Sequence, residues 1–154
     1  MNTIVKIDNH KQETPLHHAI RTRSPELVKL FLDKGAFPNA PDHKGRTALH
    51  CAIEKDCSTL VHLLLEREAD PDFRDKNGKT PLHYAVELAN LEIVQIVLQR
   101  APVINTEDTN KETPLQYAVK SGNLAVLQLL VAQGADPSGF LHCQERPGNV
   151  RWRS

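Results

Sequence analysis

The chain has 154 residues, with 19 Lys and Arg against 19 Asp and Glu and a sequence pI of about 7.1. This balance argues against a protein that coats DNA or RNA, and the 40% hydrophobic and 25% charged content argues against wholesale disorder. No apolar run is long enough for membrane insertion, and three cysteines cannot form a closed disulfide framework. We therefore expect a soluble protein of the cytoplasm, with the nucleus as a second location.

One six-residue string recurs four times at a spacing of 33 residues. It reads TPLHHA from Thr14, TALHCA from Thr47, TPLHYA from Thr80 and TPLQYA from Thr113. Apolar residues follow each threonine at fixed distances and form one stripe of a helix. Each unit is therefore predicted to contain a short first helix, with the threonine as its N-cap, and a second, more apolar helix.

Each predicted unit ends in a turn that leads through an extended loop to the next threonine. Gly35 and Gly134 lie where a helix end favours a left-handed residue, whereas Glu68 and Ala101 occupy that position in the other units and are expected to cap less well. An aspartate lies near the tip of three loops, at Asp42, Asp75 and Asp108. Because one such unit cannot bury its own apolar face, the units are expected to stack.

The 33-residue period and the T-P-L-H-x-A motif resemble the ankyrin repeat. The resemblance implies an all-α repeat solenoid of stacked helix–turn–helix units with β-hairpin-like loops. The four repeats are expected at residues 9–41, 42–74, 75–107 and 108–140. Residues 1–8 fit the remnant of a preceding repeat, and residues 141–154 form an irregular tail that does not match the motif.

The fourth repeat keeps the apolar residues of an internal repeat, without the polar outer face of a terminal one. This departure favours a fragment or short isoform of a longer array, or an end that a partner covers. It also predicts self-association through the uncapped C-terminal repeat.

The histidine of the motif suggests either a metal or catalytic site or a structural hydrogen bond. The motif pairs are Thr14 with His17, Thr47 with His50, Thr80 with His83, and Thr113 with Gln116. We interpret them as residues that join adjacent repeats, because a catalytic site needs converging side chains. Cys51 and Cys57, with His50 and His62, lack the spacing of a zinc site. No catalytic, cofactor-binding or metal-binding residue is assigned, and no enzymatic activity is expected.

The resemblance further implies that a partner binds the loop tips and the exposed side of the first helices, which together form the concave face. The predicted partner-binding residues are His10, Lys11, Arg21, His43, Lys44, Arg46, Lys55, Phe73, Lys76, Asn77, Lys79, Glu87, Leu88, Asn110 and Lys120. With Glu13, Glu54 and Glu112, this face carries an excess of four positive charges. This excess of positive charge has two interpretations. The face is either a solvated surface or the binding surface of a non-enzymatic interaction module (a scaffold, adaptor or inhibitor). In the second case the partner is an acidic protein or peptide, and the charges guide its approach.

Other functions remain open at this point. The chain could be a regulatory or positioning ankyrin domain of a longer signalling protein. Nucleic-acid binding is disfavoured because the face lacks a stacking platform. Asn39 and Asn105 occupy the position at which ankyrin proteins are targets of asparaginyl hydroxylation, and the other interpretation is an asparagine hydrogen-bonded in its turn.

Overall fold

The computed structural model describes residues 13–100 and 102–140, and eight α-helices lie in these segments. They are α1 (Pro15–Arg21), α2 (Pro25–Asp33), α3 (Ala48–Glu54), α4 (Ser58–Glu66), α5 (Pro81–Leu88), α6 (Leu91–Leu98), α7 (Pro114–Ser121) and α8 (Leu124–Ala132), followed by a 3₁₀ turn at Pro137–Phe140. Each first helix packs on its own second helix and on the first helix of the next unit. The prediction of an all-α repeat solenoid is confirmed. The predicted remnant at residues 1–8 and the predicted tail at 141–154 lie outside the described residues.

The first helix of each pair begins at the motif because its threonine caps it. The four threonines have extended backbone conformations, and proline follows three of them at the first helical position. The hydroxyl oxygens of Thr14 and Thr113 accept hydrogen bonds from the backbone N–H three residues later. The motif therefore sets where each repeat changes from loop to helix.

The core runs continuously through the stack and consists of the same positions in each repeat. A buried alanine lies on every first helix, at Ala19, Ala52, Ala85 and Ala118. A small side chain there lets neighbouring first helices approach closely, while leucine, isoleucine and valine of the second helices fill the space behind them. The α-helices of the described segments have seven to nine residues, so none of them could cross a lipid bilayer.

The loops stack on one another through backbone hydrogen bonds. Lys76 N–H donates to Lys44 O at 3.1 Å, and Thr109 N–H donates to Asn77 O at 2.9 Å. A Cβ atom on Gly45 would lie 2.9 Å from Lys76 N, closer than real Cβ contacts come, and φ of Gly45 is +78°. Glycine is therefore required at this point by both the close approach and the left-handed backbone.

The turns after α2, α4 and α8 hold a left-handed residue, as predicted from the two glycines. Gly35 and Gly134 have φ values of +85° and +92°. Glu68 holds the same conformation with φ of +62°, although its side chain disfavours it, and Ala101 lies outside the described residues. The repeat geometry thus imposes a strained backbone at Glu68.

The second helices are capped by polar side chains in three of the four repeats. Ser24, Asn90 and Asn123 each accept a hydrogen bond from the backbone N–H three residues later. Cys57 occupies the corresponding position before α4 and makes no side-chain cap hydrogen bond. A backbone N–H group in the first turn of α4 therefore has no side-chain acceptor, whereas the equivalent group has one in the other three repeats.

Replacing Glu68 with glycine should stabilise the protein. Glycine would remove the strain of the left-handed backbone, but it would also raise the conformational entropy of the unfolded chain. The net gain expected in the free energy of unfolding is about 0.5–1 kcal/mol. Urea denaturation measures it. Gly35→Ala is the matched control, since a Cβ there meets no atom within 4 Å, and it should lose about 1 kcal/mol. Equal stability of both variants and the wild type would show that the backbone is not strained at Glu68.

Replacing Cys57 with asparagine should add the missing cap of α4. The expected gain is about 1 kcal/mol, because an N-cap side chain satisfies one of the free N–H groups of the first turn. Thermal and urea denaturation of the reduced protein measure it. Ser24→Cys, which removes the cap of α2 with little change in size, should lose a similar amount. A Cys57→Asn protein no more stable than wild type would contradict the capping argument.

Candidate functional site

Each motif histidine joins its repeat to the next one. Nε2 of His17, His50 and His83 lies 2.9, 3.2 and 3.1 Å from a backbone carbonyl oxygen 29 residues later. A carbonyl can only accept, so Nε2 carries the proton and Nδ1 accepts from the motif threonine. The Nδ1 atoms of His50 and His83 accept from both the threonine hydroxyl and its backbone N–H. Every one of these rings is therefore used as a neutral structural hydrogen-bonding group.

Burial favours this neutral form. It lowers the pKa of His17 and His83 below the ordinary value for histidine, and that of His50 to about 4, against partial opposition from the bound carbonyl. Protonation of His50 or His83 would also place an Nδ1–H group against the backbone N–H of the motif threonine, so that two hydrogen-bond donors would face each other. At neutral pH these residues therefore hold repeats together.

The loop aspartates form a second connected set. The Asp75 side chain accepts the backbone N–H of Asn77 and Lys79, and its other oxygen accepts the hydroxyl of Tyr84 at 2.8 Å. Tyr117 donates to Asp108 in the same way. Burial raises the pKa of Tyr117 to about 12, so its hydroxyl remains a donor.

Repeat 2 satisfies its aspartate differently. Cys51 stands at the tyrosine position, and the Arg46 guanidinium donates to Asp42 Oδ2 through Nε at 3.0 Å and Nη2 at 2.8 Å. Burial would raise the pKa of Asp42, but hydrogen bonds from the Arg46 backbone and side chain lower it below its usual value. Arg46 thus performs the task that a tyrosine performs in repeats 3 and 4.

This substitution brings three metal-ligand residue types together. One ligand atom each of His17, Asp42 and Cys51 lies within 4.8 Å of the other two. The Nε2 proton of His17 is directed at Arg46 O, the Asp42 oxygens accept four hydrogen bonds, and burial raises the pKa of the Cys51 thiol to about 12. The neighbouring guanidinium would also repel a cation. The geometry therefore fits a hydrogen-bonded joint between repeats and not a metal centre.

The concave face carries one ion pair in each repeat, between the residue before the motif threonine and a residue eight positions later. The pairs are Glu13–Arg21 at 3.2 Å, Arg46–Glu54 at 2.6 Å, Lys79–Glu87 at 2.9 Å, and Glu112–Lys120. The positive residue comes first in the pairs of repeats 2 and 3 and second in the pairs of repeats 1 and 4. These pairs neutralise the middle of the face, including four of the predicted partner-binding cations and Glu87.

The remaining positive charge lies mainly at the loop tips. Lys44 and Lys76 are exposed at two stacked tips, and Lys55 is half-buried just after α3. None of these lysines has an ion pair within the described segments. His10 and Lys11 lie outside the described residues.

The other predicted partner-binding residues differ in exposure. Asn77 and Asn110 are exposed at loop tips, Leu88 is exposed at the end of α5, and His43 and Phe73 are partly buried. Among the described residues, those predicted to bind a partner therefore differ in burial and in whether an ion pair neutralises them.

Two tyrosines on this face were not predicted from the sequence. The Lys79 ammonium lies 4.8 Å from the ring centre of Tyr117 and 5.9 Å from that of Tyr84. The fifth motif position, which reads His, Cys, Tyr and Tyr, was the available signal. The ammonium of the Lys79–Glu87 pair therefore lies near both tyrosine rings.

The two candidate hydroxylation sites bridge adjacent turns. Asn39 Oδ1 accepts Asp70 N–H at 2.7 Å, and Asn105 Oδ1 accepts Asp136 N–H at 2.9 Å. Asp72, at the equivalent position between them, accepts Val103 N–H. These contacts give both asparagines a structural role between adjacent turns, in place of the hydrogen bond within their own turn that the sequence suggested.

Comparison with known proteins agrees with the architecture. A family model described as ankyrin repeats (3 copies) matches residues 2–75 and 55–139. The comparison with curated proteins found no match to this chain.

Replacing His50 with glutamine should reduce the loss of stability in acid. Its pKa is about 4 when folded and about 6.5 when unfolded, so the unfolded chain binds the proton better and the wild type loses stability as pH falls below 6.5. Between pH 7.5 and 5 this loss is about 2 kcal/mol. Glutamine keeps a cap acceptor, as Gln116 does for Thr113 N–H at 2.7 Å.

Urea denaturation at the two pH values measures the difference. His62→Gln is the control, since His62 is exposed on α4 and its pair with Glu66 is a surface ion pair, and it should lose at least as much stability as the wild type. Equal losses in the His50→Gln protein and the wild type would refute the role of His50 in acid sensitivity.

Proposed function

Because the chain belongs to the ankyrin-repeat family, whose repeats are generally protein–protein interaction modules, we propose that it acts as a non-enzymatic scaffold, adaptor or inhibitor. Its partner is an acidic protein surface or peptide, bound on the concave face. The observation that carries this proposal is the position of Lys44 and Lys76. Both are exposed at stacked loop tips, and neither has an ion pair in the described part of the chain.

The charge distribution supports steering by the tips and recognition by the middle of the face. Unpaired cations at the surface attract an acidic partner at low ionic strength and increase the rate of encounter with it. Tyr84 and Tyr117, together with the paired Lys79, offer the aromatic and hydrogen-bonding surface that interfaces favour. An acidic segment can therefore approach along the loops and settle on the first helices.

The chemistry of the buried polar residues supports a non-enzymatic function. The motif histidines donate to backbone carbonyls, the loop aspartates are occupied by loop N–H groups, and the Cys51 thiol is protonated. These groups are used for holding repeats together. None of them has the nucleophile–base arrangement of a catalytic site.

A second candidate function is a regulatory or positioning domain of a longer signalling protein. Val131 on α8 favours it, because this residue is 50% exposed, whereas Leu98 and Leu65 at the same position are 9% and 4% exposed. Another element packed against repeat 4 would cover this side chain. Binding of an acidic partner by the chain alone, dependent on its loop lysines, would favour the first function.

Charge reversal at the loop tips tests the acidic partner. Peptides selected from a random 16-residue phage-displayed library by the wild-type chain should be enriched in Asp and Glu. Lys44→Glu with Lys76→Glu should lower their association rate about tenfold at low salt, because it reverses the steering charge. Stopped-flow fluorescence measures the rate.

Lys34→Glu provides the control, since Lys34 is an exposed residue at the end of α2, and it should change the rate less than twofold. Selected peptides without acidic enrichment would contradict the proposal. So would association rates that do not respond to reversal of Lys44 and Lys76.

A further inference from the structure

Three leucines are exposed where the first helices turn into the second helices of repeats 3 and 4. Leu88 ends α5, and Leu91 and Leu124 begin α6 and α8, with exposures of 36%, 37% and 62%. The Asn123 side chain donates to Ala89 O at 3.1 Å, so the corner of repeat 3 meets the start of α8. The three leucines flank this contact, and we refer to them as the leucine patch.

The fold does not require leucine at these positions. Thr22 and Lys55 occupy the position of Leu88 in the first two repeats, and Pro25 and Ser58 occupy that of Leu91. Those repeats have the same helix pairs without an apolar corner. The patch is therefore a property of the surface of repeats 3 and 4, and clustered exposed apolar residues mark interaction sites.

The charges around the patch indicate what it can receive. Lys55 lies one repeat before Leu88 at the same position and has no ion pair in the described segments. Glu87, next to Leu88, is already paired with Lys79 at 2.9 Å. Glu92 lies beside Leu91 on α6, and Asp56, which follows Lys55, already accepts a hydrogen bond from Asn90 Nδ2 at 2.6 Å. A carboxylate of a partner is therefore expected at Lys55 and not over α6.

We propose that the leucine patch binds a large aliphatic side chain of the partner, with a carboxylate of the same segment bound to Lys55. This inference rests on the proposed function and adds an apolar anchor to it. The partner segment is therefore amphipathic. Its acidic residues contact the lysines of repeats 2 and 3, and its aliphatic residue is buried on repeats 3 and 4.

The test uses the random 16-residue peptides displayed on phage. Peptides selected by the wild-type chain should combine Asp or Glu with Leu, Ile, Met or Phe. Leu91→Ser with Leu124→Ser should weaken the selected peptides at least tenfold by fluorescence anisotropy, because both substitutions remove apolar surface from the anchor site. Lys55→Glu should weaken the same peptides and reduce the salt dependence of their binding.

Leu30→Ser is the matched control, since Leu30 is 50% exposed on α2, away from the patch, and it should change affinity less than twofold. Circular dichroism and urea denaturation establish that each variant is folded. The control separates loss of the anchor from a general effect of removing a surface leucine.

The outcomes separate this inference from the proposed function. Selection of acidic peptides without an aliphatic residue, which the double leucine variant binds as well as the wild type, would overturn the proposed role of the leucine patch. The proposal of an acidic partner would be unaffected. Selected peptides without acidic enrichment, or no selected peptide at all, would overturn both. A wild-type chain that dimerises in sedimentation, with a monomeric double leucine variant, would make the patch a contact between two copies and also overturn this inference.

Discussion

The hydrogen bond from a neutral histidine to a backbone carbonyl of the next repeat holds the stack in register. It spans 29 residues of sequence and occurs at His17, His50 and His83. Because the rings are buried, loss of either partner would leave a polar group without water or a hydrogen bond, at a cost of about 1–3 kcal/mol. The same ring also accepts from the threonine that begins its helix, so helix capping and repeat stacking depend on one side chain.

This bond also places the residues that form the concave face. The carbonyls that accept it belong to Arg46, Lys79 and Glu112, and the side chains of these residues form ion pairs with residues at the far ends of the first helices. The positive member changes ends between repeats, while the pairing persists. The constant feature is therefore a neutral middle of the face, and the excess positive charge lies at the loop-tip residues Lys44 and Lys76, which have no ion pair in the described segments.

The helices and their stacking were predictable because they follow from features that repeat every 33 residues. Threonine caps, buried alanines and the turn glycines each report a local requirement of the backbone. The ion pairs were not predictable from charge counting. Their members are eight residues apart, so one lies in a loop and the other at a helix end, and no helical spacing relates them.

The leucine patch was missed in part for a related reason. Leu88 was expected on the face, but Leu91 and Leu124 belong to second helices, whose apolar residues are expected in the core. Only the position of the corner, fixed by the bond from Asn123 to Ala89 O, shows that these first residues of α6 and α8 remain at the surface. Hydrophobic periodicity identifies a helix face, but it does not report whether the first turn extends beyond the neighbouring repeat.

In repeat 2 a single residue, Arg46, makes both the contacts that hold the loop and the ion pair on the concave face, whereas repeat 3 divides these contacts between two side chains. Its carbonyl accepts from His17, its guanidinium binds Asp42, and the same guanidinium pairs with Glu54 on the concave face. In repeat 3, Tyr84 binds the aspartate, so the side chain of Lys79 only pairs with Glu87 and contacts aromatic rings. A change of charge at Arg46 would disturb the loop as well as the surface, whereas the loop-tip lysines can change without loss of a structural contact. The surface of this array is therefore most adjustable at the loop tips and in repeat 3, and most constrained in repeat 2, where a cysteine replaces the tyrosine.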